Sequence, residues 1–340
     1  MRQKRLINIE MLRILAMLLV LLGHNHYNGL VTYELVHTDL LKAIELAEIK
    51  SWTFTCVPSF VVISGYFGIR WKWKGLFNYL FQISFWGGLI YLITYFIGLH
   101  DFSGVKILQN MTCFLHTGNW FFVAYLGLYM LSPILNAFIE SASEKKMLYM
   151  TFAFFLFQTI FGWILKHEEF YYGLTTTSLI GWYLIGGMLR KTSLKCFHLS
   201  AKMNFLVFLG VGFLCVMINI ATIYVGIEKD IYSYISPLQV VQTTYLFLCF
   251  KELHITKGQR IITFFSSSAF AGLLIHSWEG AGMYSLGLKW IYNNLNAPFL
   301  FSMAYIILIF VIACVLDKVR IWIWLRVQKI QFNHALNIKK

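Results

Sequence analysis

The sequence predicts an all-α, polytopic integral membrane protein with about ten transmembrane helices and both termini in the cytoplasm. The first observation is composition: 59% of the 340 residues are hydrophobic and only 13% are charged, whereas a soluble domain carries about 25% charged residues. The second is that the apolar residues come mostly in runs of roughly 17 to 24, the length that a hydrocarbon core of about 30 Å requires. The third is the distribution of the positive charges.

The apolar runs define ten predicted spans. They cover residues 7–27, 51–69, 75–99, 119–139, 147–165, 177–189, 203–225, 233–250, 261–278 and 297–316. With the N-terminus inside, this placement puts 21 lysines and arginines on the inner side and six on the outer side. Such a bias is the positive-inside rule, and it places both termini in the cytoplasm. The net charge of +13 therefore follows from topology and does not indicate a nucleic-acid partner.

The chain reads as one membrane domain. It has only four prolines and no Gly/Ser-rich linker, so we expect a single domain over residues 1–320, followed by a short basic cytoplasmic tail at 321–340. The six cysteines share no metal-ligand spacing. We expect no metal and no permanently bound cofactor, with membrane lipid as the surrounding partner.

The first apolar run carries the most informative polar residues. Only ten apolar residues separate Arg13 from His24, which is about 15 Å of helix, whereas a span needs about 20 residues. At least one of these two side chains is therefore drawn toward the hydrocarbon. An arginine there costs about 2.5–3.5 kcal/mol even on the mildest scale, and such a cost indicates a function or a partner.

The spacing places these groups together on one face. Eleven residues make close to three helical turns, so Arg13 and His24 share a face, and Glu10 precedes Arg13 by three residues and can pair with it. An alternative interpretation is that Arg13 reaches back to the inner interface and that His24 only marks the outer one. For either residue alone the two interpretations are equal, but three polar residues on one stripe favour a site.

Four segments of the chain follow one another in an informative order. The first is Glu10 with Arg13 and His24, and the later ones are CVPSFVVISGYF at 56–67, NWFF with YMLSP at 119–133, and FAGLLIH at 270–276. Together they resemble the membrane acyltransferase family 3, the O-acyltransferases that modify bacterial surface glycans. Glu10 stands where that family usually has Asp. The basic segment at 70–74 stands where the family commonly has an arginine pair. Because the chain ends in a short basic tail, it resembles a stand-alone membrane enzyme.

The resemblance implies an activity and a set of roles. The family transfers an acyl group, usually acetyl, from cytoplasmic acyl-CoA to a hydroxyl on an extracytoplasmic carbohydrate. The resemblance also implies that the protein lies in the cytoplasmic membrane of a bacterium. Histidine suits general-base or nucleophilic catalysis, so His24 receives that role. Arg13, oriented by Glu10, attracts the anionic donor or stabilises developing negative charge. The inner cluster of Arg70, Lys72 and Lys74 is a candidate site for binding the phosphates of coenzyme A. The alternative is that these residues only anchor the chain at the inner membrane surface.

Other residues are candidates for substrate contacts, each with a structural alternative. Trp120, at the outer side, is a candidate for a sugar path, and Tyr66, nearer the inner side, for a donor path; for both, the alternative is the aromatic belt. Ser64 is interpreted as a lining or packing residue. His276, with Glu279 after it, is a candidate for a second polar patch or for a structural histidine. His116 is interpreted as an interface residue.

Two other functional classes remain as alternatives. A transporter or flippase of a polar or lipid-linked substrate would also place ionisable residues in spans, but no acidic residue except Glu10 lies well within a predicted span. A glycan polymerase or ligase would show a large outer loop. The identity of the acceptor, the acyl group, direct transfer or an acyl-enzyme, and the oligomeric state stay open.

Overall fold

Every regular element is helical in the residues that the computed structural model describes, which are 6–25, 30–115, 119–227 and 230–337. The helices are α1 (Ile7–Gly23), α2 (Tyr33–Thr38), α3 (Leu40–Thr53), α4 (Cys56–Phe67), α5 (Trp73–Phe96), α6 (Gly104–Met111), α7 (Trp120–Ser141), α8 (Glu144–Phe157), α9 (Thr176–Lys191), α10 (Ala201–Tyr224), α11 (Pro237–Lys251), α12 (Gln259–Ser266), α13 (Ala271–Ile275), α14 (Glu279–Asn294) and α15 (Pro298–Asn337). The all-helical prediction is confirmed.

The helices form two compact units. The first unit comprises Met1–Trp71 and Trp120–Thr263, and the second comprises Lys72–Asn119 and Phe264–Lys340. The first unit thus contains α1 to α4 and α7 to α11, and the second contains α5, α6 and α13 to α15. The boundaries of the predicted single domain and tail stay predictions.

Six helical stretches of the described chain are long and apolar enough to cross a membrane. They are Leu40–Phe67, Trp73–Phe96, Trp120–Ser141, Glu144–Ile164, Ala201–Tyr224 and Pro298–Lys329. Three other predicted spans form the shorter helices α1, α9 and α11. The membrane character therefore stands, while the count of ten and the cytoplasmic position of the termini stay predictions.

Several helical boundaries differ from the prediction; α1, for example, ends at Gly23 rather than at residue 27. Helix begins at Leu40 rather than at residue 51, in a stretch that charged residues made look like a loop. The predicted span 261–278 breaks between α12 and α13, where Lys318 Nζ donates to the carbonyl oxygen of Phe264 and to the hydroxyl oxygens of Ser267 and Ser268. Helix α15 continues to Asn337, through most of the predicted tail.

Close packing of α4 on α9 builds the centre of the first unit. A Cβ atom on Gly65 would overlap the carbonyl oxygen of Tyr183, and a Cβ atom on Gly186 would overlap the carbonyl oxygen of Val62. The two glycines thus allow the backbones to approach, as small residues do in membrane helix pairs. Trp182, on α9, is fully buried beside this contact.

Helix α1 packs against this pair and against α11. Ile9 and Leu12 belong to the same buried cluster as Val62 of α4 and Phe247 of α11. The side-chain amide of Asn8 donates to the carbonyl oxygen of Lys251 over 2.8 Å, which ties the start of α1 to the end of α11. The first helix is therefore an internal element of its unit.

A largely buried non-helical segment, residues 230–236, precedes α11. Its backbone polar groups cannot rely on water, so side chains must pair them. Trp163 Nε1 donates to the carbonyl oxygen of Asp230 over 2.7 Å, and Trp182 Nε1 donates to that of Tyr234 over 3.1 Å. The segment is thereby fixed inside the first unit.

In the second unit, α15 carries a buried ion pair. Arg320 Nε lies 2.6 Å from Asp317 Oδ1, and the two side chains are 4% and 0% exposed. Trp86 Nε1 also donates to Asp317, and Arg320 donates to Asn78. Buried charges persist when they are paired and hydrogen-bonded, so this network is a structural feature of α15.

The close approach of α4 to α9 predicts the effect of one methyl group. Gly65→Ala should lower the free energy of unfolding by about 1–3 kcal/mol, as overpacking does, because the added Cβ overlaps a backbone oxygen. Thermal unfolding of the purified protein in detergent measures this. Gly210→Ala is the control, since in the described chain no atom outside its own stretch of helix lies within 4 Å of its added Cβ. Equal unfolding midpoints for the two variants would contradict the packing.

Candidate active site

An ion pair lies near the start of α1, as the spacing predicted. Arg13 Nη1 lies 3.1 Å from Glu10 Oε1, and the Glu10 side chain is 6% exposed while that of Arg13 is 34% exposed. The second carboxylate oxygen, Glu10 Oε2, is buried and has no hydrogen-bond partner among the described residues. The carboxylate therefore holds Arg13 while the guanidinium keeps an accessible side.

Tyr125 of α7 extends this pair, and the sequence analysis missed it. Its hydroxyl oxygen lies 3.2 Å from Ser64 Oγ, and it interacts electrostatically with the Arg13 charge. Ser64 Oγ already donates to the carbonyl oxygen of Phe60 over 2.9 Å, so Tyr125 donates to Ser64. The Ser64 proton is thus directed at the backbone, and the predicted role of Ser64 as a lining or packing residue stays a prediction.

A stripe of aromatic residues on α7 contains Tyr125. Phe121, Tyr125 and Tyr129 follow at intervals of four residues, which places them on one helix face. Phe121 stacks on Tyr125 with ring centroids 5.6 Å apart, and Tyr129 contacts Trp71 at 5.1 Å. This regular aromatic spacing was the available sequence signal for Tyr125.

His24 lies at the other end of α1. It is the residue that follows the last helical position, Gly23, and it is exposed. Eleven residues separate it from Arg13, which is about 17 Å along the axis. The structure thus places the imidazole and the ion pair on one helix but at separate levels, and the two cannot contact each other directly.

An aromatic cluster lies beside the His24 end of α1. A Cβ atom on Gly23 would lie 3.3 Å from the Cβ of Thr53, and Phe54 follows Thr53. The Phe54 ring contacts Tyr234 at 5.3 Å, and Tyr234 contacts Trp120 at 6.0 Å. Trp120 therefore belongs to a group of aromatic rings on which the flat face of a sugar could pack.

A cation adjoins these rings. Lys50 Nζ lies 5.5 Å from the centroid of the Tyr232 ring and 5.9 Å from that of Phe54, within the range of a cation–π interaction. Burial raises the pKa of the Tyr232 hydroxyl, so this group stays protonated. Tyr232 and Lys50 lay outside the predicted site because neither belongs to a sequence motif.

Arg70 follows a turn that two side chains hold. The hydroxyl of Tyr183 accepts from the amide of Ile69 over 2.8 Å and donates to Asn136 Oδ1, while Asn136 Nδ2 donates to the carbonyl oxygen of Ile69 over 2.7 Å. Arg70 itself is exposed. The turn after α4 is therefore rigid, and it fixes the backbone from which Arg70 extends.

The remaining candidates are placed as follows. Tyr66 packs its ring on Phe67 and on Phe247. Lys72 and Lys74 are exposed at the start of α5, in the second unit, so the structure does not place them with Arg70 in one unit. His116 lies outside the described residues. No three His, Cys, Asp or Glu side chains of the described chain are grouped so that they could hold a metal ion.

His276 also belongs to the second unit. It is buried, its Nδ1 lies 2.7 Å from the carbonyl oxygen of Gly272, and its ring contacts Tyr284 at 5.4 Å. Because a carbonyl only accepts, Nδ1 carries a proton, and in the neutral ring Nε2 is an acceptor. Its predicted role in substrate binding stays a prediction.

Comparison with known families decides the class of protein. A family model described as an acyltransferase domain matches residues 6–318, nearly the whole chain. The chain belongs to acyltransferase family 3. This family consists of membrane acyltransferases that generally acylate the hydroxyl groups of sugars. No curated protein and no solved structure matches the chain significantly. The membership supports the enzyme over the transporter, flippase and polymerase alternatives.

The contact between Tyr125 and Ser64 predicts a moderate loss of activity. Tyr125→Phe removes one hydrogen bond beside Arg13, so acyl transfer should fall by about three- to ten-fold, in line with the usual worth of such a bond. Transfer assays on matched amounts of folded protein measure this. The control is Tyr149→Phe, because the Tyr149 side chain is 72% exposed. Equal activity of both variants would remove Tyr125 from the site.

Proposed function

We propose that this family 3 acyltransferase moves an acyl group, with acetyl as the expected one, from cytoplasmic acyl-CoA to a hydroxyl of an extracytoplasmic carbohydrate or cell-surface glycan. We place it in the cytoplasmic membrane of a bacterium. The observation that carries the proposal is the arrangement of α1. It has an ion pair, Arg13 with the buried carboxylate of Glu10, near one end and an exposed histidine, His24, at the other. One helix would then serve two substrates that arrive from opposite sides.

In this proposal His24 acts on the acceptor. The imidazole takes the proton of the sugar hydroxyl as the oxygen attacks the thioester carbonyl, and a proton then passes to the departing thiolate of coenzyme A. The exposed position of His24 gives the acceptor access to it. The neighbouring rings of Trp120, Phe54 and Tyr234 supply apolar faces for sugar CH groups.

Arg13 and the basic residues act on the donor. The guanidinium of Arg13, oriented by Glu10, attracts the anionic acyl-CoA or stabilises the negative charge that develops on it. Arg70 binds its phosphates through charge-assisted hydrogen bonds. Lys72 and Lys74 are kept as further candidates for phosphate binding. Ser64 and Tyr66 line the path of the donor. His276 is kept as a candidate for substrate binding.

Transfer of label from acetyl-CoA tests this assignment. Membranes that contain the wild type should move radiolabelled acetyl groups into membrane-associated glycan. His24→Ala should lower the rate by about 10²–10⁴-fold, the usual worth of a general base, and Arg13→Ala by about 10²–10³-fold. Both variants are compared at matched abundance.

The control for His24 is His254→Ala, because His254 is exposed in the turn after α11 and should tolerate the change. Full activity of folded His24→Ala protein would contradict the catalytic assignment. If acetyl-CoA transfers no label but succinyl-CoA does, the group is succinyl and the site assignment is kept. If neither donor transfers label with intact wild-type protein, the proposed function is wrong.

A further inference from the structure

Three polar side chains on one face of α11 are buried without partners. Ser236, Gln239 and Thr243 are each 0% exposed. Their four side-chain polar atoms, Ser236 Oγ, Gln239 Oε1 and Nε2, and Thr243 Oγ1, have no hydrogen-bond partner in the described chain. Each such group costs about 1–3 kcal/mol in a protein interior. We call these three residues the polar stripe of α11.

The next glutamine on the same helix shows what a satisfied amide looks like. Gln242 is equally buried, but its Nε2 donates to Ser51 Oγ over 3.0 Å. Its face of α11 meets α3 and α10, as the contact with Ser51 and the close approach of Gly212 show. The lack of partners is therefore specific to the polar stripe and not common to the helix.

One turn beyond Thr243, the face of α11 that carries the polar stripe packs against α4 and α1. Phe247 follows Thr243 by one turn on the same face, and its ring contacts Tyr66 of α4 at 5.1 Å. Phe247 also shares a buried cluster with Ile9 and Leu12 of α1. Tyr66 is a residue that we assign to the path of the donor.

The position of the polar stripe along the helix axis can be compared with the positions of Arg13 and His24 on α1. Asn8 of α1 contacts Lys251 of α11 at one end, and at the other end Gly23 adjoins Thr53, whose neighbour Phe54 contacts Tyr234. The two helices are therefore antiparallel. With a rise of 1.5 Å per residue, Arg13 lies about 8 Å and His24 about 24 Å above the Asn8 level, while the polar stripe spans about 12 to 22 Å. The polar stripe therefore lies at the same height as the apolar residues between Arg13 and His24.

We propose that the polar stripe binds the pantetheine arm of acyl-CoA on its way from the Arg13 level to His24. The inference rests on the proposed function. The arm is a flexible chain whose amides and hydroxyl need hydrogen-bond partners in an apolar surrounding. The amide of Gln239 offers both a donor and an acceptor, and the hydroxyls of Ser236 and Thr243 offer the same. The polar groups of the arm and those of the polar stripe can therefore pair with each other.

The unpaired groups also ease the entry of the arm. The polar atoms are fully buried in this structure, so α11 must move away from α4 and α1 before a ligand reaches them. When α11 moves, the unpaired groups can bind water or ligand. The free energy gained from this offsets part of that lost with the apolar contacts of α11. The closed packing of α11 is therefore less stable than an apolar interface of the same shape.

Substitutions of the two glutamines separate this role from a structural one. The full-length protein is purified in detergent, and its thermal unfolding is measured without ligand, with acetyl-CoA, and with acetyl-pantetheine, which has the same arm and no nucleotide. Without ligand, Gln239→Met should unfold at the wild-type temperature or above, since it removes an unpaired amide. Gln242→Met should unfold at a lower temperature, because it removes the hydrogen bonds between Gln242 and Ser51 and leaves Ser51 only its long contact with the carbonyl oxygen of Gly212.

The ligands test the binding itself. In Gln239→Met and Thr243→Val, the stabilisation by both ligands should fall, and the KM for acetyl-CoA should rise by about three- to ten-fold with a smaller change in kcat. A lower unfolding temperature for Gln239→Met, as for Gln242→Met, would overturn the proposal. Equal stabilisation of wild type and Gln239→Met by acetyl-CoA would overturn it too, while label transfer would still support the proposed function. If neither ligand stabilises the wild type and no label moves, both proposals fail.

Discussion

A guanidinium inside an apolar helix is the constraint on which the first unit depends. Arg13 would cost several kcal/mol in hydrocarbon without compensation, and Glu10 provides it at 3.1 Å. A carboxylate that is 6% exposed must in turn be enclosed, so α1 lies against α4 and α11 rather than at the edge of its unit. The close contact of Gly65 and Gly186 keeps α4 and α9 together behind it.

Buried polar side chains occur in two different environments in the described chain, one with hydrogen-bond partners and one without. In the second unit, Asp317 and Arg320 bind each other and the side chains of Trp86 and Asn78, as a stable interior requires. In the first unit, Gln239 and Thr243 are equally buried and have no partners within the described chain. Polar groups that a fold leaves unpaired are candidates for function, because ligand or water can complete them. This contrast is the basis of the proposed binding of the pantetheine arm.

The sequence predicted the features that depend on a single helix. The helical class and the pairing of Glu10 with Arg13 follow from hydropathy and helical spacing, and the structure has them. The first span was predicted to reach residue 27, but α1 ends at Gly23. Contacts between distant segments were not predictable: Tyr125 meets Ser64 across 61 positions, and no local pattern encodes that distance. The helix that begins at Leu40 was missed because its charged residues resemble a loop. The break between α12 and α13 depends on Lys318, about 50 residues later.

The central claim is that α1 joins a donor side to an acceptor side, and the sidedness of the reaction tests it most directly. Purified protein would be reconstituted into vesicles in one orientation, with the glycan acceptor and labelled acetyl-CoA each supplied inside or outside in all four combinations. The account predicts label in glycan only when acetyl-CoA meets the face that carries Arg70 and the glycan meets the face that carries His24. Equal transfer with both substrates on one side would contradict it.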